Sequence, residues 1–440
     1  MSSYKAKKAT KFFKIQDATA SNIPVDEKHE FYIDFSAFRS EFKEKIIYRN
    51  LSINPTTKEC TKLDNPKKIF LSGYRGTGKT SELLKLQNSI HETKCYFSIF
   101  VDISDEELDT NNIETVDILI LMLQKLLEVL ENNGAKIDAN IMNSFYAWYS
   151  TRITEVNNST ISSVSIDAEA SASVGFLNFL KLTAKTASQL KGSGESKEII
   201  RRVFNQHFSD FTTKFNEFIL TVKEKLNDSS DTYNDILFII DGFEKIGTYA
   251  DRKKILIDDS NKFTLIRTHM IITLPIELFS EINKLNNLGG SITLRLPLVD
   301  LHVDNAKNMM KEFILKRVDR TLFKDDETID KIIQFGAGHP RQTLQIISRA
   351  YALADEELLD SKSINDAVEE MGRELATLNK EELQIIKDIN KGKHPASTNA
   401  YMRLKEKNIL FEYSNERSNV INPILEAYSL FKKRLESLDA

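Results

Sequence analysis

A lysine, a threonine, two carboxylates and an arginine carry most of the chemistry this sequence can do. Lys79 and Thr80 close the run Gly73-Tyr74-Arg75-Gly76-Thr77-Gly78-Lys79-Thr80-Ser81, with the spacing Gly-x-x-x-x-Gly-Lys-Thr. Each residue type has a use if the ligand is a phosphate. Glycines at 73, 76 and 78 let the backbone enter turns that a Cβ resists, so successive N–H groups can wrap an anion. A helix opening at Lys79 points its positive end at the same anion. The Lys79 ammonium would reach the β- and γ-phosphates, and the Thr80 hydroxyl would ligate Mg²⁺. The plain alternative is a glycine-rich turn between a strand and a helix. The ligand these residues specify is a nucleoside triphosphate.

Such a loop needs an acid on a neighbouring strand to hold the metal. The run Asp235-Ile-Leu-Phe-Ile-Ile-Asp241 is apolar and ends in one, so Asp241 is read as the second metal residue beside Thr80. A strand closed by an acidic turn residue is the alternative. Hydrolysis further requires a carboxylate to orient or deprotonate water. Position 242 is glycine, so the nearest acid is Glu244, which either reaches the water or caps the following helix. Thr273 lies near the carboxyl end of the run 269–275 and either senses a γ-phosphate or is a threonine chosen for strand propensity. Arg341 follows Gly338 and Pro340, which can end one helix and start the next. A cation at a helix N-terminus is disfavoured by the dipole and calls for an anion, either a phosphate or a surface acid.

These residues must be held by a sheet. Continuous β-prone runs at 69–72, 95–102, 235–241, 269–275 and 291–297 alternate with helical segments, as a parallel sheet covered on both faces requires. The fold class is α/β: a three-layer core with a parallel sheet, then an α-helical lid, then a winged-helix-like domain. The expected units are an N-terminal extension at 1–66 packing on the core, a core at 67–300 with an insertion at 159–194, a lid at 301–375 and the winged-helix-like unit at 376–440. In the core, helices are expected at 114–132, 141–153 and 197–226. The insertion reads as a hairpin with Val164, Ile166, Ala168 and Ala170 alternating, then a helix, or else as a linker. Phe31 to Phe38 is expected near the edge that would take the base, and the Lys-rich start reads as a solvated tail. In the last unit the second helix, 398–407, carries Arg403, Lys405 and Lys407, which would face DNA phosphates or a protein surface. Arg201, Arg202 and Arg267 are candidates for action across an oligomer interface, with ordinary surface charge as the alternative.

Together the pieces resemble the AAA+/STAND group of P-loop ATPases, in the prokaryotic branch related to archaeal ATPases and initiator-type proteins. The matching segments are 73–83, 239–245, 271–275 and 336–341, in the family's order. The resemblance implies an ATPase core, a lid with a sensor arginine and often a winged helix, with ATP and Mg²⁺ as cofactors. Lys79, Thr80, Asp241, Thr273 and Arg341 take the roles above by that likeness. Gly242 departs from the family's usual Asp-Glu pair and resembles a STAND-like Asp-x-x-acid variant with Glu244 as the acid, which suits a slow nucleotide switch. The resemblance further implies a homo-oligomer or an effector partner, with antiphage defence as a typical setting and DNA loading or remodelling as the alternative.

Composition narrows the class. A net charge of −4 argues against a surface built broadly for nucleic acid, leaving room for a local patch. No apolar run is long enough to span a bilayer, since the greasiest stretch, 118–127, holds Gln124 and Lys125. The two cysteines, Cys60 and Cys95, lack metal-ligand spacing, so free thiols in a reducing cytoplasm are expected.

Overall fold

Strands form where the sequence has its continuous apolar runs. The computed structural model describes residues 5–39, 42–104, 107–133, 139–159, 176–192, 194–228, 233–414 and 417–436. One parallel sheet contains β1 (Lys68–Gly73), β2 (Tyr96–Asp102), β3 (Asp235–Asp241), β4 (His269–Pro275) and β5 (Ser291–Arg295). Their spatial order is β2-β3-β4-β1-β5. Thus β4 lies between the strand of the glycine loop and the strand of Asp241, which is the position Thr273 needs.

Both faces of the sheet are covered, and alternate residues serve each. Phe70, Ile99, Val101, Phe238, Ile240 and Ile272 enter one apolar cluster. Their neighbours Ile69, Leu71, Leu237, Ile239 and Ile271 enter the other, against Leu83, Leu86 and Ile90 of the helix Lys79–Glu92. Period-two alternation therefore puts Asp241 on the Leu237 and Ile239 face, toward the N-terminus of that helix. In register with it across β2–β3 is Asp102.

The opposite layer is a set of helices inserted between β2 and β3: Thr115–Asn132, Ala139–Ser159, Phe176–Lys191, Glu195–Gln206 and Phe208–Asp228. They interlock through aromatic rings, with Phe145 at 5.2 Å from Phe179 and Trp148 stacked on Phe211. Three expectations change here. The single helix expected over 197–226 is two helices, parted at His207. The helical part of the insertion does not protrude, because Phe179, Leu182, Ala187 and Leu190 are buried in this layer; the expected hairpin lies outside the described residues. Arg201 is no trans-acting cation, since its guanidinium is buried and forked onto Asp117, with Nη2 to Oδ2 at 2.6 Å. Arg202 and Arg267 stay exposed.

Past β5 the chain is helical. Ala306–Leu315, Asp326–Gly336, Pro340–Leu353 and Ser361–Leu375 share one core with the N-terminal residues Phe12, Ile15, Phe31 and Phe35. The Lys-rich start is held at Ala9, which pairs with Val318, and at Lys8, which bonds Asp319 at 3.0 Å, while Lys5, Lys7, Lys11 and Lys14 stay exposed as expected of a solvated segment. The Phe31–Phe38 run likewise packs chiefly on the lid, with Phe35 at 5.6 Å from Phe313.

The last segment has two helices, Lys380–Asn390 and Asn399–Glu406, then an antiparallel pair, β6 (Leu410–Phe411) with β7 (Val420–Ile421). Pro423–Ala427 and Ser429–Glu436 follow as two short helices instead of one.

The cysteine expectation is overturned, because Cys60 and Cys95 form a disulfide. The reason is tertiary: the bridge between Ile53 and Cys60 folds residues 52–61 against the start of β2, bringing together sulfurs 35 positions apart. Among the described residues, no helix is long and apolar enough to cross a membrane.

Candidate functional site

The glycine loop sits where β1 hands over to the helix Lys79–Glu92. Gly76 and Gly78 have φ of 95° and 92°, conformations that a Cβ would strain. Lys79 is buried, and its ammonium folds back to donate to the carbonyls of Gly73 and Tyr74, both at 3.0 Å. The Thr80 hydroxyl donates to Asp241 Oδ2 at 2.6 Å. Asp241 is 2% exposed, and its other oxygen, Oδ1, has no hydrogen-bond partner. A buried carboxylate with a vacant acceptor beside a threonine hydroxyl is a donor set for a hard divalent cation. Among the described residues no group of three acidic, His or Cys side chains could hold a metal alone. Such an ion would therefore need ligand oxygens from elsewhere, as phosphates supply.

Glu244 lies on a one-turn 3-10 helix, Phe243–Lys245, that follows Gly242 at φ 105°. Its Oε2 is buried and unpartnered. Burial pushes the Glu244 carboxyl up, but Lys79, Lys245 and Arg341 outweigh it and hold it below the ordinary carboxylate range. Asp241 goes the other way: burial, then the charge of Glu244, pushes it up to about 6 against the pull of Thr80 and Lys79. Thr273, on β4 opposite Leu71 of β1, is fully buried, and its hydroxyl has no partner.

The lid loop lies directly on the glycine loop. Arg341 N–H donates to Gly76 O at 3.2 Å, and a Cβ on Gly76 would meet the Arg341 Cβ at 2.6 Å. The Arg341 side chain is held by Ser21 O at 3.1 Å and lies within electrostatic reach of Glu244. His339 donates from Nε2 to Arg75 O at 3.0 Å and accepts the Gln342 N–H at Nδ1, capping the helix Pro340–Leu353. Burial, helped by the charge of Arg341, pushes His339 down to about 3, so it is neutral at pH 7.

Of the loop's other residues, Tyr74 turns away from the glycine loop, buried edge-on to Phe411 at 5.8 Å. Arg75 is exposed, Thr77 donates to Tyr74 O at 3.0 Å, and Ser81 accepts the Val25 N–H at 3.2 Å. The site thus collects Lys79, Thr80, Asp241, Glu244, Thr273 and Arg341 around one loop.

Sequence reasoning missed Arg39. Its guanidinium is 1% exposed and donates to Thr77 O at 2.5 Å and Glu82 Oε1 at 3.1 Å, bracing the loop against its own helix. No local signal marked it, since its partners Thr77 and Glu82 lie 38 and 43 residues away. Arg39→Met is expected to destabilise the fold by about 3–5 kcal/mol, because Glu82 is left buried without its cation. Urea denaturation checks this, and adding Glu82→Gln should restore most of the loss.

The C-terminal unit closes over the same loop. Phe411 packs on Tyr74 and His339, and Tyr413 donates to Ala337 O at 2.8 Å. Glu412 is buried between Arg295 at 3.0 Å and Lys405 at 2.5 Å. Arg252 spans Glu277, at 2.8 Å, and Glu406. The cations expected to face DNA are spoken for: Lys405 on Glu412, and Arg403 and Lys407 both on Glu382, at 3.2 and 3.1 Å.

No protein-family model and no curated protein matches the chain. Among solved structures it is similar to the Orc1 protein of Aeropyrum pernix in complex with DNA, at 11% identity and a TM-score of 0.35, over 92% of this chain and 97% of that one. It is also similar to Cdc6p of Pyrobaculum aerophilum, at 13% identity and a TM-score of 0.33, over 94% and 99%. A Walker-type ATPase of Pyrococcus abyssi matches at 14% identity and a TM-score of 0.39, over 90% and 98%.

Proposed function

We propose that this chain binds ATP with Mg²⁺ and hydrolyses it slowly, as a switch of the AAA+/STAND kind. The observation that carries the reading is the bond from half-buried Thr80 to buried Asp241, with its vacant Asp241 Oδ1, set at the mouth of a positive-φ glycine loop. In this reading Lys79 leaves its two loop carbonyls for phosphate oxygens, while Thr80 and Asp241 hold the cation. The bound cation supplies charge that offsets the build-up on the phosphates. Glu244 orients or deprotonates the attacking water, Thr273 reports the terminal phosphate, and Arg341 brings the lid to it. The backbone of 73–81 lines the phosphates.

The slow-switch character follows from the closure. The His339 and Arg341 bonds to Arg75 O and Gly76 O, and the Phe411 contact on Tyr74, tie lid and hairpin to the loop that must accommodate the ligand. Residues 1–66, 67–300, 301–375 and 376–440 are read as extension, core, lid and winged-helix-like unit. Output then passes to a protein partner or a homo-oligomer in the cytoplasm, with antiphage defence as one setting. DNA loading is the lesser reading, since Arg403, Lys405 and Lys407 would first have to leave their carboxylates.

Glu244→Gln is the test of the chemical step. Steady-state phosphate release is expected to fall by about 100-fold or more, with nucleotide affinity retained. Undiminished turnover in that variant would remove Glu244 from the water.

A further inference from the structure

The ion pair of Asp102 and Lys245 sits at the end of the sheet beside Glu244, and nothing above uses it. Asp102 is the last residue of β2, in register with Asp241 and on the same face of the sheet. Beyond it the chains stay joined, with Ile103 N–H donating to Asp241 O at 2.9 Å. Gly242 then turns the chain at φ 105°, a conformation open to glycine at little cost. A Cβ at 242 would lie 3.1 Å from Asp102 Oδ1 and 3.1 Å from Ile103 Cγ1. The turn is therefore pressed against Asp102 at its start. At its end, Lys245 reaches back to the same carboxylate, with Nζ to Oδ1 at 3.3 Å. Between these two points stands Glu244, on a turn with the bonds Lys245 N–H to Gly242 O at 2.9 Å and Ile246 N–H to Phe243 O at 3.3 Å.

We propose that Asp102 is a positioning residue: through Lys245 it fixes the turn 242–245 and so the direction in which Glu244 faces the site. This deepens the reading of Glu244 given above and rests on it. Phe243 anchors the turn in the core, but Glu244 Oε2 has no hydrogen-bond partner, so the facing of the acid needs stiffness from elsewhere. An acid on the adjacent strand supplies the stiffness, because β2 and β3 are locked together by their ladder. Asp102 does this as a charge partner. The tie needs only opposite charges at 102 and 245, so it survives their exchange, although the charge at 245 also acts on the Glu244 carboxyl.

That property gives the test. Asp102→Asn and Lys245→Met are each expected to lower kcat about 10-fold with KM for ATP little changed, since a turn displaced by a fraction of an ångström misaligns the acid. The exchanged variant, Asp102→Lys with Lys245→Asp, should regain part of the lost kcat and not all of it, because Glu244 loses the nearby Lys245 charge. Amide hydrogen exchange across 242–246 is the second readout and needs no turnover: protection falls in both single variants and returns in the exchanged one. Unchanged kcat and unchanged exchange in Asp102→Asn would overturn the proposal. Loss of amide protection in the single variants without its return in the exchanged chain would overturn it too, and would make Asp102 a group that needs its own carboxylate. If the wild type binds ATP but shows no turnover, the hydrolytic reading fails, while the exchange pattern still decides whether the pair holds the turn.

Discussion

Lys79→Ala is expected to weaken ATP·Mg²⁺ binding by about 100- to 1,000-fold. The side chain is buried at the loop and already spends its hydrogen bonds on Gly73 O and Tyr74 O. Moving to phosphate oxygens replaces two neutral acceptors with charged ones, and charge-assisted bonds contribute about 1.5–3 kcal/mol each. Two such bonds near the lower end of that range, about 3–4 kcal/mol together, give the stated loss at 1.4 kcal/mol per decade. Truncation also leaves two carbonyls short of a donor, so a modest fall in stability should accompany it. Titration with a fluorescent ATP analogue reads the affinity, and a thermal melt separates it from misfolding. Retention of wild-type affinity would mean that the phosphates lie elsewhere.

Glu412→Ala is expected to release the C-terminal hairpin from the core. Glu412 is shared by Arg295 of β5 and by Lys405 of the hairpin's own unit, and all three side chains are at least nine-tenths buried. Removing the acid leaves two buried cations facing each other, a loss of about 3–5 kcal/mol concentrated at this contact. The contact also includes Arg252 on Glu406, Phe411 on Tyr74 and His339, the Tyr413–Ala337 bond, the Gln342–Asn422 amide pair and Arg417 on Asp300, but Glu412 is its buried acid shared by two buried cations. Hydrogen exchange in 405–425 should therefore rise sharply. Because Phe411 also presses the residues that tie the lid to the glycine loop, nucleotide exchange should quicken. Faster hydrogen exchange with unchanged nucleotide exchange would separate hairpin docking from control of the site.

The sheet was legible because its strands are buried on both faces and read as unbroken apolar runs. β3, with five consecutive apolar residues from Ile236 to Ile240 between two aspartates, is the clearest case. The candidate site was legible for a related reason: glycines at 76 and 78 mark positions of positive φ, and that requirement is local. What depended on distant contacts was not. Nothing near Arg39 announces that it lies beneath the loop, because its partners Thr77 and Glu82 are 38 and 43 residues away. Arg201 looked like one of two adjacent surface arginines until the fold put Asp117 against one of them. The break at His207 carries no glycine or proline, so helical periodicity runs through it unmarked. Pairing of Arg403, Lys405 and Lys407 with acids from other elements likewise reversed their expected availability.

The central claim is that Lys79, Thr80 and Asp241 together hold a nucleoside triphosphate through its phosphates and a divalent cation. Equilibrium titration of the purified chain with ATP, in Mg²⁺ and in EDTA, tests it most directly, with Asp241→Asn alongside. The account predicts saturable binding that tightens with Mg²⁺ in the wild type and loses most of that dependence in the variant. Binding indifferent to Mg²⁺ in both, or no binding in either, would contradict it.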